Sequence, residues 1–407
     1  MLKRLGKHFI KGENSVLKWL VAATLIVVPL YPKFPLFNIP GIYVAVRAED
    51  FLIFFIAIFL ILKIVRAPKQ FFRSKINQAL ILFFVIGFVS LLSGIFLTHT
   101  VVPHIGLFHW ARRIEYVIPF LAATLLYRED YSRFFVHVLV VVSFIVFLYA
   151  LGQIYLGFPV ISTQNYEFSK GLSLRWVPGA RLHSTFGGHY DLAAFLVIVL
   201  PLFWAFLFAS KNIIARLFLL AGIGSSLWLL LAASSRISIL AYFVGVAVSL
   251  WLLRKRLFIL PIFVVSVLLV FAMGDLASRY RYSVESVVSR FPIISEKIMI
   301  IFKNKKSFVV RPVFAQDDEP KVVAPTRRFS ATPKPEGAQV VEDRSTEIRL
   351  NVEWPRSLRS LLKNPLLGTG YSSITLATDN DYLRLLGEAG SLGLLGFLLV
   401  IARVWKK

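Results

Sequence analysis

The sequence predicts an all-α fold: a polytopic membrane helix bundle of about ten transmembrane helices, with a long outer loop between the last two. Two observations carry this prediction, and a third excludes cysteine chemistry. The 407 residues are 57% apolar with a mean hydropathy of +0.71, and several apolar runs approach the roughly 20 residues that span a bilayer. Lysine and arginine gather in alternate connections between those runs. Cysteine is absent, which removes disulfides, thiolate nucleophiles and cysteine metal sites.

The apolar runs lie near 17–31, 50–65, 76–97, 107–127, 134–157, 190–209, 213–233, 237–253, 256–273 and 382–402. The first follows a basic start (Lys3, Arg4, Lys7, Lys11) and reads as an uncleaved anchor. With the N-terminus in the cytoplasm, the inner connections hold Lys63, Arg66, Lys69, Arg73 and Lys75, then Arg128 and Arg133, Lys211 and Arg216, and Arg254 to Arg256. The short outer connections hold far fewer, among them Lys33, Arg47, Lys170 and Arg175. That asymmetry fixes the orientation. The net charge of +24 need not mean nucleic acid, since charge in a membrane protein divides first by side.

Three regions follow from this reading: a nine-helix bundle over 1–273, a long outer loop over 274–366, and a return segment with the last helix over 367–407. Within the loop, residues 282–302 space their apolar side chains for an amphipathic surface helix, which Pro292 splits. Residues 306–345 are rich in proline and charge and read as a disordered insertion. Residues 346–366 turn helical again and lead into the Leu367-Gly368-Thr369-Gly370 turn.

Charge at the membrane boundary marks the candidate site. Asp379, Asn380, Asp381, Arg384 and Glu388 open the last apolar run, and Asn380, Arg384 and Glu388 share one helical face. A salt-bridged helix cap is the plainer account of the same residues. Arg181 precedes another apolar run together with His183 and His189, and Arg236 sits in a tight turn between two runs. Two arginines at this depth suit a phosphate or diphosphate, while a nearby carboxylate can take a proton from an acceptor hydroxyl. Arginine at a helix end also snorkels to lipid phosphates, and His183 and His189 lack a third ligand at metal spacing. Arg112, Arg113 and Glu115 read as a local ion pair, and Glu49 and Asp50 as acidic residues favouring a helix N-terminus. No phosphate-binding loop, zinc-protease or serine-hydrolase motif is present in the sequence.

Three segments together resemble the O-antigen ligase and polymerase superfamily of bacterial envelope glycan enzymes. They are Arg181-Leu-His-Ser-Thr-Phe-Gly-Gly-His189, the Ser235-Arg236 turn, and the stretch from Arg349 through Asn364-Pro-Leu-Leu-Gly-Thr-Gly370 to Asp379-Asn380 and Glu388-Ala-Gly390-Ser-Leu-Gly393. The resemblance implies glycan transfer from a polyprenyl-diphosphate donor to a glycan, lipid or protein acceptor, on the outer face of the bacterial plasma membrane, without metal or other cofactor. It implies Arg181 and Arg236 on the diphosphate and Asp379 as base. His183, His189, Arg349, Asn380, Arg384 and Glu388 are the expected substrate-binding residues. The ligase branch has a histidine where Asp379 stands, while Asn380, Gly390 and Gly393 keep its spacing. Ligase and polymerase both stay open. The rival class is a small-anion or glycan-lipid transporter of the same superfamily, which needs polar residues at mid-bilayer depth on several helices.

Overall fold

A computed structural model describes residues 2–31, 36–38, 45–126, 130–160, 174–177, 180–272, 349–374 and 380–406. The amphipathic helix expected over 282–302 and the insertion expected over 306–345 lie outside the described residues. Contacts divide the chain into two compact units, 1–268 with 348–407, and 269–347. All that follows concerns the first.

The described elements are helical, apart from two short strand pairs. In chain order the helices are α1 (Leu2–Leu30), α2 (Ala48–Arg66), α3 (Pro68–Arg73), α4 (Lys75–Phe96), α5 (Pro103–Leu126), α6 (Ser132–Tyr155), α7 (His189–Ala209), α8 (Ile213–Ala232), α9 (Arg236–Leu252), α10 (Ile259–Ala272), α11 (Trp354–Lys363) and α12 (Asp381–Trp405). Among the described residues five helices are long and apolar enough to cross a membrane: α4, α6, α7, α8 and α12. With the shorter apolar helices beside them, they make this an all-α multi-pass membrane protein. The strand pairs, Phe37–Asn38 with Ala45–Val46 and Pro159–Val160 with Leu174–Arg175, are antiparallel and two residues long.

Helix α1 starts fifteen residues before the apolar run that predicts it. Hydropathy marks where lipid begins, whereas the backbone helix continues through the polar, proline-free stretch ahead of it. Helix α5 likewise starts early, at Pro103, whose fixed φ suits a first helical turn.

Packing sets the direction of the helices. Leu17 and Val21 of α1 meet Ile56 and Leu60 of α2 and Ala122 and Leu126 of α5 in one buried cluster. The C-terminal end of α1 and the N-terminal ends of α2 and α5 therefore point to the same side. Helix α6 packs on α1 and α8, and α7 packs on α8 and α9. Helix α12 lies along α4, and α11 lies on α12. A second cluster joins Phe83 of α4, Tyr371 of the return loop, and Leu385 and Ala389 of α12. At Gly87 the α4 backbone comes so close to the Tyr371 ring that a Cβ would sit 2.8 Å from its hydroxyl oxygen.

The last helix departs from its prediction. The sequence reads as one uninterrupted span, but α12 breaks at Gly390, with φ 69° and ψ −172°. The amides freed by the break turn to the return loop: Ser391 donates to the Pro365 carbonyl at 2.9 Å and Leu392 to the Leu366 carbonyl at 3.1 Å. In the other direction Thr369 donates to Gly387 at 3.0 Å and Gly370 to Glu388 at 2.8 Å. A loop docked into a broken helix satisfies backbone groups that lipid would leave stranded. Glycine at 390 is required twice over: its φ is left-handed, and a Cβ there would collide with the Leu366 carbonyl.

Candidate functional site

The first cluster is built on the segment before α7. Ser184 donates its amide to Gln153 Oε1 at 2.9 Å and its hydroxyl to the Val146 carbonyl at 2.6 Å, and Gln153 Nε2 returns a bond to the Ser184 carbonyl at 3.0 Å. Thr185 donates to the Pro29 carbonyl of α1 at 2.7 Å. Leu182 donates its amide to Ala232 at the end of α8, at 3.4 Å. The ends of α1, α6 and α8 thus grip residues 182–185 from three sides. Arg181 projects from this clamp: one Nη donates to His189 Nε2 at 2.6 Å and to the Tyr190 hydroxyl at 3.4 Å. His183 stacks on His189 with ring centroids 5.7 Å apart. Burial holds the His183 imidazole below its ordinary pKa; Asp191 opposes the shift and Arg181 adds to it. Arg236 begins α9 directly after its N-cap Ser235, four residues beyond Ala232. The Leu182–Ala232 bond therefore ties the stretch bearing Arg181 to the end of α8, four residues before Arg236.

The second cluster surrounds Glu388. Its side chain is 1% exposed, Arg113 Nη2 lies 3.4 Å from Oε2, and Arg384 Nε lies 3.3 Å from Oε1. Oε1 also accepts the Ser372 amide at 3.2 Å. The Glu388 carbonyl accepts the Ser90 hydroxyl of α4 at 2.7 Å, and the Arg113 guanidinium lies over the Tyr371 ring at 5.5 Å. A carboxylate this deep is sustained only by such pairing.

Arg113 corrects the sequence reading. It is not part of a local ion pair with Glu115 but reaches across to α12. Arg112 keeps the local contact, 2.9 Å from Glu115, and adds Asp50 at 2.8 Å. Asp50 also caps α2 by accepting the Arg47 amide at 2.9 Å. Its role at a helix start is thus as expected, with an ion pair besides.

The remaining predicted residues fall as follows. Asn380 is the N-cap of α12, its Oδ1 accepting the Tyr382 and Leu383 amides, both at 3.1 Å. Arg349 opens the short π-helical turn that leads into α11. Asp379 lies outside the described residues. The fold therefore brings Arg181, His183 and His189 together at one site, and Arg384 with Glu388 at another. Arg113, Tyr371 and Gln153 are additions. A glutamine and an arginine inside apolar runs were the available signals, since polar groups there are retained for a partner. Among the described residues no cluster of histidine, aspartate and glutamate has the makings of a metal site.

A family model described as O-antigen ligase matches residues 221–398, which include Arg236, the return loop and the Arg384–Glu388 face. No curated protein and no solved structure matches the chain. The family match supports glycan transfer of the O-antigen ligase type in general terms. Over residues 221–398 the chain is thus similar to the O-antigen ligase family, in line with the superfamily resemblance of the sequence.

Proposed function

We propose that the protein transfers glycan from a polyprenyl-diphosphate donor to an acceptor hydroxyl at the outer face of the bacterial plasma membrane, with its N-terminus in the cytoplasm. The observation that supports this reading is the backbone bond between Leu182, next to Arg181, and Ala232, which opens the turn that ends at Arg236. Two guanidinium groups held on neighbouring stretches suit a diphosphate, and they stabilise the charge that grows on it as the sugar leaves. In this mechanism the acceptor oxygen attacks the anomeric carbon, the carbon–phosphate oxygen bond breaks, and the diphosphate departs against Arg181 and Arg236. Asp379 takes the acceptor proton. His189 orients Arg181, and Asn380 fixes the helix start next to Asp379.

Transfer of a labelled glycan by the purified protein in lipid vesicles tests this. Arg236→Lys keeps the charge but loses the two-pronged contact, so transfer falls sharply while insertion persists. Asp379→Asn lowers the rate more than donor binding, and Asp379→His, the residue of the ligase branch, retains activity. Transfer at the parental rate by Asp379→Asn would end the catalytic assignment of that residue.

A further inference from the structure

The Glu388 cluster carries more positive charge than its carboxylate requires. One guanidinium neutralises a buried carboxylate; this one holds two, which leaves an excess of one positive charge at the site. Charge and exposure are layered. Glu388 is 1% exposed, whereas Arg113 is 30% and Arg384 is 24% exposed. Among the described residues Arg384 spends only its Nε, so both of its Nη groups retain their donors. Asp381, one turn earlier on α12, makes no ion pair with it among the described contacts. Helices α5 and α12 both start at this end. The Arg113–Glu388 contact fixes their register, with His109 one turn before Arg113 on α5.

The geometry points to a second oxyanion site, formed by Arg113 and Arg384 over buried Glu388, that takes a phosphate or carboxylate group carried by the glycan substrate. Glu388 acts as the fixed base of the site, holding both guanidinium planes so that they lose little freedom when an oxyanion docks. Neither arginine belongs to the pair proposed to hold the donor diphosphate. The inference rests on the transferase reading only for the identity of the ligand; the site itself is tested by binding.

The full chain, in nanodiscs of neutral phosphatidylcholine, is titrated separately with inorganic phosphate and with D-glucuronate, and the rise in melting temperature is followed. At least one of the two stabilises the parent protein. Arg384→Gln weakens that response about tenfold or more, as expected for a lost charge-assisted bond, and Arg384→Lys weakens it less. Arg181→Gln leaves the component that depends on Arg384 in place. Arg384→Gln leaves Arg113 on Glu388, so the fold survives even if Arg113→Gln does not insert. The proposal is overturned if the parent responds to neither anion, or if Arg384→Gln titrates like the parent with both. Binding lost in Arg384→Gln, with no glycan transfer by the parent, would keep this site and remove the transferase reading. The reverse would remove this site alone.

Discussion

Arg113 and Glu388 meet at 3.4 Å although 275 residues separate them in the chain, and the carboxylate end of the pair is closed to solvent. Glu388→Ala removes the buried carboxylate and leaves two partly exposed arginines without their shared partner, so it should destabilise the protein by about 1–3 kcal/mol. Glu388→Gln keeps the shape and the Ser372 bond, so it should cost less. Thermal unfolding in detergent checks both, and equal melting temperatures for all three proteins would show that the pair carries no stability.

Gly390 and Gly224 make a controlled comparison. Gly390→Ala forces a left-handed conformation on alanine and drives its methyl into the Leu366 carbonyl, so it should destabilise by about 2 kcal/mol or more. Gly224 lies in α8 with nothing within 4 Å of a built Cβ, and Gly224→Ala should be neutral or stabilising by up to about 1 kcal/mol. Melting temperatures and yield of inserted protein report both.

Gln153 is 1% exposed and serves both the amide and the carbonyl of Ser184. Gln153→Leu leaves those two buried groups unpaired, at a cost of about 1–3 kcal/mol for each. Because the same segment carries Arg181, the donor KM should rise more than the stability loss alone explains. A variant that loses stability but keeps the parental KM would mean that Arg181 is positioned by other contacts.

His183 sets a pH limit. Its folded pKa is depressed, mainly by burial, so protonation favours the unfolded chain. The stability held by the neutral ring is complete above the unfolded value of about 6.5 and is lost as pH falls below it toward the folded value. Melting temperature should decline below pH 6.5 in the parent and decline less in His183→Gln. Parallel pH profiles for the two would remove His183 as the cause.

Orientation is checked with single cysteines, since the chain has none. Ser330→Cys and Ser345→Cys should react with an impermeant thiol reagent applied from outside. Labelling only after the membrane is opened would reverse the topology, and the proposed face of the reaction with it.

Much of the bundle was legible because lipid enforces a simple rule: a span must be apolar and helical. The runs at 76–97, 134–157, 190–209 and 213–233 each lie within two residues of α4, α6, α7 and α8 at both ends. The break at Gly390 was not legible, because the loop that repairs it enters from twenty or more residues upstream and apolarity continues through it. The site divides in the same way. Arg181 with His189, and Arg384 with Glu388, are close in sequence, and spacing alone paired them. The Arg113 contact depends on how α5 meets α12, a tertiary choice that no local pattern records. Ion pairing with Glu115 was the nearer option in sequence, but Arg112 occupies that carboxylate and leaves Arg113 free to cross.

The break in α12 also bears on how the protein is made. Until residues 365–370 dock, the helix around Gly390 offers the bilayer bare amides and a carboxylate, each costing several kcal/mol in hydrocarbon. It cannot partition from the translocon as a finished span. Its completion waits for Ser90 of α4, which left the ribosome 298 residues earlier and must still be accessible when Glu388 arrives. The early helices are therefore expected to hold an open flank until α12 emerges, a seat kept for a partner 298 residues away.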